Sequence, residues 1–353
     1  MNDSFVFYKL PDARNYVVVR QLSDMPKRIV KVAELGGERG FVFAPFAISD
    51  EHPILLVRPD VVQTLGLDDS VDFKHVGFKT RDVSAERRKY GYDFRRFHDS
   101  FSTKGFSKIV LSRCSEEIAE DNISLDLLFK RACRLCPHLF VALVSMPQFG
   151  AWLMATPEVL LEKKGDDFHT MALAGTRSLA NDGQLGGVDD HGVGSWSGKN
   201  RQEQQYVAKY IKERIGRLSC DLRETKPYTF TSANVQHINT DFYFKLNPNV
   251  HVGQVLNNLF PTPAVCGIPE EATHRFIVEN ESCDRSYYSG FAGMLNNEAG
   301  SVRLYVTLRC MQIRGCHYKI YAGGGLLEGS DEESEWLETE AKMNTMRRCL
   351  AIE

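Results

Sequence analysis

Short apolar runs alternate with helical stripes along the chain, and the pattern sharpens after residue 106. Residues 107–113, Ser-Lys-Ile-Val-Leu-Ser-Arg, read as a strand, and Leu139 to Met146 as a buried one. Residues 123–136 between them carry helical spacing. Val159 to Leu161 and Phe168 to Leu173 flank Lys163-Lys164-Gly165-Asp166-Asp167, which predicts a hairpin. Val207, Tyr210, Ile211, Ile215 and Leu218 recur at three and four, predicting a long helix from Gly198 to Leu218. Ser301 to Ile313 reads as one strong strand, Arg314-Gly315 as a turn and Tyr318 to Ala322 as the return; a last helix runs from about Glu333 to Leu350. Strands outnumber those of a doubly wound parallel fold, and several pair as hairpins. The pattern therefore predicts an α+β fold with antiparallel sheets. The first hundred residues are less regular: Tyr16 to Arg20 forms an apolar run, and Lys79 to Arg96, with seven lysines or arginines, is expected to be a solvated helix or loop.

A chain of 353 residues has room for one large domain or two ordinary ones. Hydrophobic residues at 43% and charged residues at 25% exclude a disordered or collagen-like chain. The net charge of −3 provides no global field for nucleic acid or an anionic membrane. The longest apolar stretch, Leu139 to Val144, is too short to span a bilayer, and the opening MNDSFVFYKLPD lacks a signal-peptide pattern, so a cytoplasmic protein is expected. The nine cysteines then read as free thiols, and Cys133 and Cys136 as helix-packing residues rather than half of a metal site.

Several residues could carry chemistry. Glu335, Glu338 and Lys342 stand at i, i+3 and i+7 of the last helix and share a face that continues into Thr345, Met346 and Cys349. Carboxylates on a face that turns apolar need a metal ion or a cationic partner; the alternative is an exposed charged helix end with Trp336 and Leu337 buried behind it. Glu203 lies one turn before Val207 and Asn200 one turn earlier, aligned with the apolar stripe. Glu203 is either an inward carboxylate or a first-turn glutamate favoured by the helix dipole. Two helices that each present a carboxylate inward could share a hard cation such as Mg²⁺.

Lys108 interrupts an apolar strand and is either an edge residue or a buried amine able to act as a base. Glu158, after Thr156-Pro157, is either held rigidly or a plain strand residue. Ala174-Gly175-Thr176 and Ala322-Gly323-Gly324-Gly325 read as strand ends, where glycines let backbone N–H groups approach an anion or simply turn the chain. Arg309, on a face with Thr307, Tyr305 and Arg303, either grips a carboxylate or faces solvent.

Taken in order, the motifs resemble those of the chorismate-utilising enzymes: isochorismate, salicylate, anthranilate and aminodeoxychorismate synthases. The stretches that carry the resemblance are KIVLSR from Lys108, TPEVLL from Thr156, LAGTR from Leu173, KNRQEQQYV from Lys199, VQH from Val235, PTPAVCG from Pro261, DRSYYSGFAG from Asp284 and AGGGLLEGSDEESEWLETEAK from Ala322. The last is the most specific. The resemblance implies two large, mostly antiparallel sheets packed together with helices outside. It also implies one enzyme domain over residues 1–353, with 1–100 divergent and 101–353 carrying the motifs.

The resemblance further discriminates among reactions. Members that add water at C2 of chorismate carry a lysine where Lys108 stands, and aminodeoxychorismate synthases carry a nucleophilic lysine where this chain has Ala174. Salicylate synthases tend to have threonine where Ala264 stands. Gln204 replaces a histidine of many relatives and Asn200 an acidic residue of some. The activity implied is that of an isochorismate synthase, an isomerase serving menaquinone or siderophore synthesis. The alternatives are a salicylate synthase or a non-catalytic chorismate-binding protein. No glutamine-amidotransferase subunit is expected, and a monomer is. In the implied mechanism Glu203 and Glu338 hold Mg²⁺, with Glu335 ordering its waters. Lys108 is the base and Glu158 the acid. Gly175 and Thr176 seat the ring carboxylate. Arg309, Tyr288 and the amides of Gly323, Gly324 and Gly325 hold the enolpyruvyl carboxylate. His237 and Lys342 complete the site.

Overall fold

The computed structural model describes residues 4–22, 25–68, 76–178, 193–232, 235–296 and 300–352. Two antiparallel sheets face one another. The first has nine strands in the order Gly267–Ile268, Lys108–Ile118, His317–Leu326, Cys310–Arg314, Gly150–Thr156, Phe140–Met146, Ser4–Lys9, Asn15–Gln21 and Val61–Gly66. The second runs Ser219–Glu224, Val235–Leu246, Asp167–Ser178, Val159–Lys164, Val302–Val306, Phe291–Leu295, Gly40–Ala44, Ile54–Val57 and Lys27–Ile29, with Tyr228–Ser232 also paired to Val235–Leu246. Residues 1–100 thus supply strands to both sheets.

Alternation along each strand sends one set of side chains into the space between the sheets and the other out toward helices. The inner layer is aromatic: Phe140 stacks on Tyr305 and Phe43 on Tyr287, each pair with ring centres 4.2 Å apart. On the outside, helices Gly198–Gly216 and Val252–Leu259 cover the second sheet through Val207, Ile211, Ile215 and Leu256. Helices Leu125–Leu135 and Glu332–Leu350 cover the first through Phe129, Met343 and Met346. The expected α+β architecture, two packed antiparallel sheets with helices outside, is the one observed.

Three local readings are corrected. The basic run lies mostly in a helix, Val83–Lys104, which is not simply solvated: Tyr90, Phe94 and Phe97 form a buried stripe against Ile109, Leu111 and Trp336. Their spacing of four and three was masked by the intervening charges. Second, Ser301 to Ile313 is not one strand. Val302–Val306 belongs to the second sheet and Cys310–Arg314 to the first, and the chain crosses between them at Thr307–Arg309. Arg309 sits at φ 44°, in the left-handed region, so it shares no strand face with Thr307, Tyr305 and Arg303. Third, the strand carrying Gly175 runs on to Ser178, whereas Gly323 to Gly325 do close theirs, which stops at Leu326.

Cys133 and Cys136 are buried, their thiols pushed up to about 12 and about 11 by burial, as packing residues should be. Among the described residues no helix is long and apolar enough to cross a membrane.

Candidate active site

The site forms where the glycine-rich half of strand His317–Leu326 outruns its neighbour Cys310–Arg314. There the strand keeps its ladder with Lys108–Ile118 on one edge only. Gly323 faces Ser112, and Gly325 faces Val110. The missing side chains make room for others: a Cβ on Gly323 would stand 2.8 Å from the Tyr288 hydroxyl, one on Gly324 would stand 2.9 Å from Glu335 Oε2, and one on Gly325 would overlap the Glu203 carboxylate. We expect Gly325→Ala to displace Glu203 and lower turnover roughly a hundredfold or more, in the range of losing a positioned charged group. Circular dichroism should show the fold kept; activity within about threefold of the parent would show that Glu203 need not be where it is.

A cavity between the sheets is lined by Glu158, Gly175, Thr176, Glu203, His237, Tyr288, Arg309, Gly323, Gly325 and Lys342. Lys108, Gly324, Glu335 and Glu338 surround it without lining it. The structure therefore brings all the candidate residues into one neighbourhood.

Gly175, at φ 70°, forms a bulge in Asp167–Ser178, where the register against Val235–Leu246 shifts between Ala174 and Thr176. The Gly175 carbonyl meets His237 Nδ1 at 3.0 Å, and Arg309 Nη2 meets His237 Nε2 at 2.9 Å. A guanidinium only donates, so Nε2 accepts, and the imidazole proton sits on Nδ1, donating to the Gly175 carbonyl. Burial, then Arg309 and Lys342, hold the His237 pKa well below the ordinary value, which keeps it neutral. His237 in turn aims Arg309, whose buried Nη1 has no partner among the described residues. Such an orphaned cationic donor fits a carboxylate oxygen.

Glu158 is buried at the start of Val159–Lys164, and burial raises its carboxyl to about 8 against the opposing pull of Lys108, Arg309 and Lys342. Tyr288 is buried beneath the glycine strand, and burial raises its pKa.

Lys108 is fully buried. Its Nζ donates to the Pro263 carbonyl at 2.5 Å and stands 3.2 Å from Glu203 Oε1. Lys342 Nζ donates to Glu338 Oε1 at 2.5 Å and to the Gly323 carbonyl at 2.9 Å. Lys199 pairs with Glu335 Oε1, while Glu335 Oε2 is buried with no partner among the described residues. Each of the three carboxylates thus faces one lysine. Burial, then Glu338, raises the Glu335 carboxyl to about 7 despite Lys199. Burial would also raise Glu338, but Lys342, Lys199 and the Thr176 hydroxyl hold it below the ordinary value.

Of the two ways to satisfy inward carboxylates, the structure displays cationic partners. It also fits a metal. All the donors are hard oxygens, and Glu335 Oε2 is an orphaned buried acceptor. Among the described residues no three acidic, histidine or cysteine side chains enclose an ion by themselves. Mg²⁺ needs only one or two carboxylates and keeps waters at its other positions.

Two contributors were not assigned from the sequence. Lys199 stands one turn before Glu203, and a cation in the first turn of a helix, where the dipole disfavours it, was the available signal. Arg113 ends the KIVLSR stretch on the face opposite Lys108. Its guanidinium lies 3.7 Å from the Trp336 ring centre, donates to Thr339 Oγ1 at 2.7 Å and pairs with Glu340. It therefore ties the helix carrying Glu335 and Glu338 to the strand carrying Lys108.

A buried carboxyl raised toward neutrality, a buried lysine, an orphaned arginine donor and a set of carboxylates define an acid–base enzyme for an anionic substrate. The chorismate binding enzyme family matches residues 67–351, and the chain belongs to that family. It is similar to the vibriobactin-specific isochorismate synthase of Vibrio cholerae serotype O1, with 29% identity over 319 residues, 87% of this chain and 79% of that one. It is also similar to the isochorismate synthase EntC of Escherichia coli K12, with 31% identity over 255 residues, 71% of this chain and 64% of EntC. The crystal structure of the DhbC protein of Bacillus anthracis superposes with a TM-score of 0.81 at 21% identity, covering 100% of this chain and 97% of that one, and so shares the fold.

Proposed function

We propose that this chain is an isochorismate synthase, an isomerase that adds water at C2 of chorismate and releases the C4 hydroxyl. The observation that carries this reading is the pairing of Glu158, a carboxylic acid kept protonated to about pH 8, with the buried amine of Lys108 about a single cavity. Displacing a hydroxyl group requires a proton donor that survives at neutral pH, and using water as the nucleophile requires a base.

Lys108 Nζ takes a proton from water as its oxygen bonds to C2. The ring double bonds shift, the C4–O bond breaks, and Glu158 gives that oxygen its proton, so one water enters and one leaves. Solvent then returns the proton from Lys108 to Glu158. Arg309 Nη1 and the Tyr288 hydroxyl hold the enolpyruvyl carboxylate beside the edge of Gly323 to Gly325; Gly175, Thr176 and Lys342 border the ring carboxylate. Glu203 and Glu338 would hold Mg²⁺, with Glu335 ordering its waters, and the ion would supply positive charge to the ring carboxylate. Ala264, on the cavity wall, supports a reaction that stops at isochorismate without losing pyruvate. Water as the nucleophile leaves no need for an amidotransferase subunit, and a cytoplasmic monomer supplying menaquinone or siderophore synthesis accords with this reading.

Chelation tests the metal assignment. Protein stripped with EDTA is expected to lose turnover and to regain it on adding Mg²⁺; full activity in extensively stripped protein would contradict it.

A further inference from the structure

The lysines facing the carboxylate cluster are not held alike. Lys108 and Lys342 each have a second anchor in the backbone, at the carbonyls of Pro263 and Gly323, and their side chains are 0% and 13% exposed. Lys199 has Glu335 alone among the described residues, and its side chain is 29% exposed. It is the second residue of helix Gly198–Gly216, where the free N–H groups and the dipole favour an anion. A lysine there gains nothing from its own helix, so the carboxylates hold it. Lys199 is the most exposed of the three lysines and the one without a backbone anchor among the described residues.

We propose that Lys199 is a built-in counter-cation of this cluster, which a divalent ion displaces from Glu335, so that Lys199 sets how tightly the site takes up metal. The proposal rests on reading Glu203 and Glu338 as the carboxylates that hold the metal and Glu335 as the one that orders its waters. Each carboxylate already stands against one lysine. A divalent ion arriving with the Lys199 ammonium still on Glu335 puts two cations side by side in a desolvated space; swinging Lys199 to solvent relieves that repulsion. Lys199 and the hydrated metal compete for the Glu335 oxygens, so whatever the Lys199 contact contributes is lost when the metal arrives, and metal affinity falls by that amount. The device keeps the carboxylates paired without metal while keeping metal uptake reversible.

Calorimetric titration of the intact chain with Mg²⁺, without substrate, tests the proposal on the parent, Lys199→Gln and Lys199→Arg. Lys199→Gln should bind Mg²⁺ roughly tenfold to a hundredfold more tightly, the worth of one charged hydrogen bond. In EDTA it should melt below the parent, and saturating Mg²⁺ should close that gap. Lys199→Arg, which keeps the charge, should bind no more tightly than the parent. Equal or weaker Mg²⁺ binding by Lys199→Gln overturns the proposal. A parent that takes up no Mg²⁺ at all, with Glu338→Gln indistinguishable from it, overturns the metal-site reading and this inference with it. A second measurement needs no variant: acetylation of Lys199 in the parent, followed by mass spectrometry, should rise on adding Mg²⁺ as the ammonium moves to solvent. Unchanged or reduced labelling contradicts displacement.

Discussion

Lys108→Ala is expected to lose roughly 10²- to 10⁴-fold in kcat while chorismate affinity stays near that of the parent, because the proposed general base goes and the proposed carboxylate-binding groups remain. The geometry sharpens the expectation. Lys108 is fully buried, bonded to the Pro263 carbonyl and to Glu203. Arg309, His237 and Tyr288 reach the cavity from other segments and do not depend on it. Removing Lys108 also strips Glu203 of its lysine partner, so the variant should melt lower in EDTA than in Mg²⁺, and kinetics belong in saturating Mg²⁺. Turnover within about threefold of the parent, well short of the general-base range, would mean that another group deprotonates the water.

The second large effect is that of Glu158. Burial raises its carboxyl to about 8, and the proposed step needs its protonated form. The sign follows: below that value the acid is present and kcat/KM holds, and as the pH rises through about 8 the proton is lost and kcat/KM falls. Glu158→Gln keeps the shape but has no proton to give, and should lose roughly 10²- to 10⁴-fold in kcat together with that alkaline limb. A residual rate with an unchanged alkaline limb would assign the limb, and the acid role, to a different group. The same shift makes Glu158 a stability sensor. Its neutral carboxyl is favoured in the folded state below the unfolded value near 4.5, and that contribution disappears as the pH rises from there through about 8.

Much of this was legible in the chain before any coordinates, where local pattern and tertiary role agree. Val207, Ile211 and Ile215 keep helical spacing, and the Lys163-Lys164-Gly165-Asp166-Asp167 turn joins Val159–Lys164 to Asp167–Ser178. The acidic face of the last helix could be read from i, i+3 spacing, and the question it raised, metal ion or cationic partner, could be posed but not answered. What stayed hidden depends on contacts between distant segments. The crossing at Arg309 divides what reads as one strand, because the residues on either side serve different sheets. The stripe Tyr90, Phe94, Phe97 is buried by a sheet and helix far along the chain, and its charged neighbours obscure it. The glycines at 323–325 read as a strand end open to an anion or a turn, and nothing in the sequence showed that they owe their smallness to Tyr288, Glu335 and Glu203. The positioning roles of Lys199 and Arg113 required partners that no spacing rule connects.

The central claim is that this site adds solvent water at C2 of chorismate and stops there. Incubating the protein with chorismate and Mg²⁺ in ¹⁸O-water, then separating the products for mass analysis, tests it most directly. The account predicts isochorismate carrying one ¹⁸O atom and no free pyruvate. Unchanged chorismate, salicylate with an equivalent of pyruvate, or isochorismate lacking the label would contradict it.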